Sequence, residues 1–106
     1  MLGWVYGISN KAMPGLVKVG FTMKAPELRV QELDNIGMHH AYNMNYKVLV
    51  DNPQRYEQHS HVALKGFREN KKWFRCKLED TVAGIRQVVG DKALHDLLKE
   101  IRTMRQ

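Results

Sequence analysis

Two short β-forming runs, Trp4-Val5-Tyr6 and Lys18-Val19-Gly20-Phe21-Thr22, flank Ser9-Asn10-Lys11-Ala12-Met13-Pro14-Gly15. Turn-rich composition between strand formers favours chain reversal, so residues 3–9 and 16–22 are expected to pair as a β-hairpin. Side chains alternate across the pleat. Val5, Val17, Val19 and Phe21 then share an apolar face, and Tyr6, Lys18, Gly20 and Thr22 share the other, which is unusually polar for a strand that serves packing alone.

The rest of the chain supplies elements to cover this hairpin. Pro26 and Glu27 suit the first turn of a helix, with Leu28, Leu33 and Ile36 as its buried stripe and Gly37 as its stop. His39-His40-Ala41 reads as a loop. Tyr42 to Val50 reads as a third strand with Met44, Tyr46, Val48 and Val50 alternating. Asp51-Asn52-Pro53 opens a second helix, roughly Gln54 to Phe67, with Tyr56, Ser60, Ala63, Leu64 and Phe67 toward the sheet. Lys72 to Cys76 has the aromatic content of a last strand. Leu78, Val82, Ile85 and Val89 mark a third helix ended by Gly90, and Asp91 can cap a fourth over residues 91–104 through Leu94, Leu97, Leu98, Ile101 and Met104. The order predicts an α+β domain: a small, mainly antiparallel sheet of about three to four strands flanked by helices, with an extra C-terminal helix. Residues 1–77 would form the core, and residues 78–106 a helical extension packed on the same single domain.

At 106 residues the chain is expected to fold as one unit, and 43% hydrophobic with 26% charged residues is ordinary for a globular protein. Cys76 is the only cysteine, which rules out an internal disulfide and fits a reducing compartment. With no cationic, apolar leader and no apolar run long enough for a bilayer, a cytoplasmic protein is expected, nucleoid-associated if it binds DNA. The net charge is +6 and is uneven. Residues 1–53 hold five basic and four acidic side chains, residues 54–106 twelve and seven. Lys65, Arg68, Lys71, Lys72, Arg75 and Lys77 cluster in the second half, opposed there only by Glu69. They are the candidate nucleic-acid-binding residues, through phosphate neutralisation and counterion release. Phe67, Trp73 and Phe74 among them read as core rather than as stacking platforms.

Four side chains invite chemistry: Tyr6 and Lys18 on the hairpin, Arg29 early in the first helix and Glu57 early in the second. A carboxylate can bind Mg²⁺, which shares its remaining shell with water and phosphate oxygens. An arginine fork holds a phosphate. A phenol can take a proton from attacking water if a neighbouring cation such as Lys18, or a metal, favours the phenolate. Each residue also has a plain structural role open to it: Tyr6 as a core-edge aromatic, Gly20 as a bulge, Arg29 as a solvated helix residue and Glu57 as a helix-dipole partner. The histidines do not have zinc spacing, since His39 and His40 are adjacent, His59 and His61 are two apart on a helix, and no second cysteine exists.

Val5-Tyr6 with Val19-Gly20, then Glu27-Leu28-Arg29, Glu32-Leu33, Tyr56-Glu57, His61, Leu64 and Trp73-Phe74, resembles the GIY-YIG endonuclease superfamily. It is most similar to the phage- and mobile-element-associated branch that has Lys-Ile-Gly or Lys-Val-Gly in place of Tyr-Ile-Gly. Matches separated along residues 3–76 in one order are more specific than any single dipeptide. The resemblance implies a small αβ nuclease fold and hydrolysis of DNA phosphodiester bonds with one metal ion, Mg²⁺ or Mn²⁺. It places Tyr6 as general base, Gly20 as the glycine of the second motif, Arg29 on the phosphate, Glu57 on the metal and His61 in a supporting catalytic role. The chain departs from the pattern at Lys18, which replaces the second tyrosine. Leu33 stands where some members have histidine, Lys72 where the branch often has an acidic residue, and the late asparagine of typical members has no clear counterpart. The expected function is a metal-dependent endonuclease. The alternatives are a catalytically silent DNA-binding module of the same fold, or an interaction domain dimerising through its C-terminal helix.

Overall fold

The computed structural model describes residues 1–34 and 42–98. Gly37, His39 and His40 therefore lie outside the described residues, as do Ile36, Ile101 and Met104. Among the described residues, the strands β1 (Leu2–Asn10), β2 (Leu16–Thr22), β3 (Tyr42–Asp51), β4 (Arg68–Asn70), β5 (Trp73–Arg75) and β6 (His95–Leu98) form one sheet in the order β4-β5-β2-β1-β3-β6. Every neighbouring pair is antiparallel. Helices α1 (Pro26–Asp34), α2 (Pro53–Ala63) and α3 (Leu78–Val89) cover it. The α+β class holds, with six strands rather than three to four because short edge strands are added on both sides.

The hairpin pairs Val5 with Phe21, Tyr6 with Gly20, Gly7 with Val19 and Ile8 with Lys18. Paired residues project to the same side of a sheet, so the two faces separate as expected. On one, Val5, Val19, Tyr46, Val48, Val50 and Phe74 pack with Leu64 and with Val82, Ile85 and Val89 of α3. On the other, Tyr6 and Ile8 pack with Val30 and Leu33 of α1 and with Tyr42 and Met44.

Met44 corrects the reading of β3 as one unbroken alternation. Gly7 pairs with Tyr46 but Ile8 with Met44, so Asn45 is the extra residue of a β-bulge. The bulge shifts the face by one position: Tyr46, Val48 and Val50 stay on the α2–α3 side, while Met44 and Tyr42 turn to the α1 side.

Two helical stripes also differ from expectation. In α1 the inward residues are Pro26, Val30 and Leu33, at helical spacing from the proline, and Leu28 is rotated outward and exposed. In α2 they are Pro53, Glu57 and Ser60, with Leu64 just past its end and Tyr56 partly buried against the core as expected; Ala63 and Phe67 are exposed. The α-helix stops at Ala63 and continues as a short 3-10 turn over Lys65–Phe67, which breaks the phase that would have carried Phe67 inward. Asn52 takes the N-cap position in the left-handed region at φ 64°, without a side-chain capping bond, and Pro53 begins the helix.

The fourth helix expected from residue 91 is not formed over the described residues. Gly90, at φ 59°, ends α3, and after a short 3-10 turn His95–Leu98 joins the edge of β3 as β6. Leu94 and Leu97 are exposed rather than aligned on a helical seam, so the helical dimer surface is absent from this segment. β6 is fixed by Asp96, whose carboxylate accepts from Arg86 Nε at 3.1 Å and Nη2 at 2.6 Å and from the Tyr46 hydroxyl at 2.5 Å. Among the described residues, no helix is long and apolar enough to cross a membrane.

Candidate active site

The polar face of the hairpin is built around Tyr6, which is 2% exposed. Its ring lies across Gly20. A Cβ on Gly20 would stand 2.6 Å from the Tyr6 hydroxyl oxygen and 2.7 Å from Cζ, so a side chain there is incompatible with this ring position. The glycine is needed for close approach, not for a turn. From α1, the half-buried Arg29 comes within hydrogen-bonding reach of the Tyr6 phenol, and that contact, followed by the one to Glu32, raises the guanidinium above its usual pKa. Arg29 Nη1 donates to Glu32 Oε1 at 3.2 Å.

Lys18, paired with Ile8 on one side and Trp73 on the other, completes this face. Burial lowers its pKa, and the charges of Arg29 and Lys72 lower it further. Like charges held together are unfavourable unless an anion joins them. Lys18 Nζ also stands 6.0 Å from the centroid of the half-buried Trp73 ring.

The second half of the site comes from α2. Glu57 lies on the inward stripe and is 4% exposed, a costly place for a carboxylate. Lys72 Nζ reaches Glu57 Oε2 at 3.0 Å, with the Lys72 side chain 46% exposed. The ammonium is a charge partner without hydrogen-bonding geometry, and Oε2 accepts no hydrogen bond among the described residues. His61 Nε2 is 3.9 Å from the same oxygen and 2.9 Å from the Val19 carbonyl oxygen. A carbonyl only accepts, so Nε2 carries the proton; Nδ1 then accepts from Arg68 Nη2 at 3.4 Å. Both ring nitrogens are engaged, and the imidazole ties α2 to the backbone of β2.

Lys72 links the two clusters: it reaches Glu57, and its charge also bears on Lys18. β5 pairs with β2 only from Leu16 to Lys18, and the Val19 amide then donates to the Lys72 carbonyl. Beyond that point the β2 edge carries no further strand among the described residues, and Gly20 sits at the gap.

The model of the T5orf172 domain matches residues 3–89. The chain belongs to this family. T5orf172 domains are phage-associated and nuclease-like. No curated protein and no solved structure matches the chain. The matched span of this T5orf172 domain includes α3 and so runs beyond the residues that carry the sequence resemblance.

Within the T5orf172 domain, Tyr6, Lys18, Gly20 and Arg29 come together on one side of β2, and Glu57, His61 and Lys72 on the other. The remaining basic residues lie before, within and after the β4–β5 pair. Arg68 is used by His61 and lies over the Phe74 ring, and Arg75 Nε donates to Glu69 at 3.1 Å. Lys65, Lys71 and Lys77 are exposed on the rim. Phe74 is core, as expected, whereas Trp73 stands beside Lys18 at the site. The alternation within Lys72-Trp73-Phe74-Arg75 already separates those two aromatics; their shared aromatic character obscured it. The pairing of Lys72 with Glu57 had no local sequence signal.

No group of three or more potential metal-ligating side chains forms among the described residues. Glu57 provides one carboxylate with an oxygen free of hydrogen bonds. That donor set fits a hard cation that keeps several waters and takes phosphate oxygens from its substrate, and does not fit an all-protein metal cage.

Proposed function

We propose that this T5orf172 domain is a metal-dependent endonuclease of GIY-YIG type that hydrolyses DNA phosphodiester bonds. The observation that carries the reading is the Tyr6 phenol seated over Gly20 and beside Arg29, with Lys18 on the same face of the hairpin and the buried Glu57 linked to Lys18 through Lys72. Arg29 and Lys18 offer positive charge to a phosphate, and Arg29 can present two donors in its fork. Tyr6 takes the proton of the attacking water. Glu57 would hold Mg²⁺ or Mn²⁺, which when bound supplies charge stabilisation to the phosphoryl oxygens. His61, with both nitrogens engaged, supports the site by positioning α2. Lys65, Arg68, Lys71, Lys72, Arg75 and Lys77 supply electrostatic affinity for the DNA backbone. The protein is then expected where DNA is, in the cytoplasm at the nucleoid.

The test is nicking of supercoiled plasmid with Mg²⁺ or Mn²⁺. Wild type cuts; Glu57→Ala and Tyr6→Phe fold by circular dichroism but lose roughly a hundredfold or more in rate. Undiminished cutting by Glu57→Ala would remove the metal assignment. A second reading, a DNA-binding module without turnover, is favoured by the Lys72 ammonium on Glu57. It predicts salt-dependent retention of DNA, unchanged by Glu57→Ala, and no cleavage with either metal.

A further inference from the structure

The ion pair at Glu57 is unequal. Its carboxylate is fixed on the inward face of a helix, with side chain 6% exposed, whereas Lys72 is 46% exposed on a long stem. Lys72 follows Lys71, whose backbone is in the left-handed region at φ 45°, in the turn between β4 and β5. Its ammonium lies 5.7 Å from the Phe21 ring centroid, so part of its placement comes from a surface contact rather than from a closed cage. The oxygen it approaches, Glu57 Oε2, is buried and has no hydrogen bond among the described residues.

A divalent cation on that oxygen and an ammonium 3.0 Å from it would be two positive charges on one acceptor. Their repulsion, in a buried place, disfavours both being held there at once. Lys72 is already beside other cations, because its charge and that of Arg29 both depress Lys18. A phosphate entering among Lys18, Arg29 and Lys72 gives the Lys72 ammonium a second anionic partner on the solvent side.

We propose that Lys72 is the resident counter-cation of Glu57, mutually exclusive with a divalent metal ion, and that the ion gains the carboxylate when Lys72 moves onto a phosphate of the bound strand. This rests on the reading of Glu57 as the metal-holding residue. Lys72 acts by occupying and releasing the carboxylate, and is not itself a catalytic residue. Without DNA, the intact domain therefore binds divalent ions weakly.

The experiment measures Mn²⁺ binding to the DNA-free protein by the loss of the free-ion EPR signal. The proteins are wild type, Lys72→Met, Lys72→Gln, Glu57→Gln, the double variant Lys72→Met/Glu57→Gln and Lys11→Ala. Lys72→Met keeps an apolar stem against Phe21, and Lys72→Gln keeps a hydrogen-bond donor for the carboxylate, so at least one neutral variant preserves the packing. Both are expected to bind Mn²⁺ at least tenfold more tightly than wild type, and the gain disappears in the double variant. Lys11→Ala, which removes a charge at the far turn of the hairpin, stays at the wild-type value. Thermal melting gives a second readout: Mn²⁺ raises the Tm of Lys72→Met by more than it raises that of wild type. Unchanged affinity and an equal Tm response in both Lys72 variants, with binding lost in Glu57→Gln, overturns the role of Lys72 and leaves the metal reading standing. Binding that survives in the double variant places the ion elsewhere and overturns the proposal. Absence of binding in all forms removes the metal reading of Glu57 and the proposal together.

Discussion

At the scale of single residues, Gly20 and Tyr6 are one unit. The glycine has no left-handed backbone to explain it; its missing Cβ is filled by the phenol ring, 2.6 Å from where that carbon would stand. Gly20→Ala is expected to destabilise the domain by about 1–3 kcal/mol, the usual cost of overpacking, because the ring must leave its position or the strand must shift. In a Tyr6→Ala background the same change should cost almost nothing, since the obstructing ring is gone. Urea unfolding of the four proteins in this cycle measures the coupling, and an undiminished cost of Gly20→Ala in the second background would place the clash elsewhere. His61, given a supporting catalytic role by the sequence resemblance, directs its Nε2 proton to the Val19 carbonyl and accepts from Arg68 at Nδ1.

At the scale of elements, β6 is the segment whose conformation was least legible. Leu94, Leu97, Leu98, Ile101 and Met104 satisfy a helical spacing, yet His95–Leu98 pairs with β3 and is fastened by Asp96 to Arg86 of α3 and Tyr46 of β3. Arg86 first, and Tyr46 after it, hold the Asp96 carboxyl below its usual pKa. A depressed carboxyl pKa stabilises the folded state above the unfolded value of about 3.9, and the contribution is lost as pH falls through the lower, folded value. Asp96→Asn is therefore expected to cost about 1–2 kcal/mol near neutral pH, as for hydrogen bonds to charged groups, with the difference from wild type shrinking below about pH 4. Thermal melts across pH 2.5–7, about the range spanned by the carboxyl titration, test this; a cost independent of pH would deny the carboxylate its part. The Tyr46 phenol, buried against the same anion, is pushed far above its ordinary pKa and remains a donor throughout.

At the scale of the whole molecule, the sheet separates two packed faces and leaves a cationic rim around β4 and β5, with Lys65 before them, Lys71 between them and Lys77 after them all exposed. If this rim tracks a DNA backbone, duplex affinity falls with salt, and Lys71→Ala with Lys77→Ala should flatten the log–log slope by about 0.9 for each phosphate contact removed while preserving any sequence preference. Binding titrations across a salt series measure it, and an unchanged slope would exclude both residues from the interface. The hairpin and the three helices among the described residues were determined by local pattern, because turn chemistry, proline placement and residue alternation act over a few neighbours, while Tyr6, Gly20, Arg29 and Glu57 were matched to motif positions through the sequence resemblance. The phase of α2, the bulge at Asn45, the strand at His95–Leu98 and the seating of Lys72 on Glu57 were decided only by tertiary structure. Each depends on a partner far away in the chain: a sheet edge that can be extended, a bulged register that turns Met44 to the other face, or a buried carboxylate that needs a cation. Local periodicity carries no information about which distant segment will meet that need.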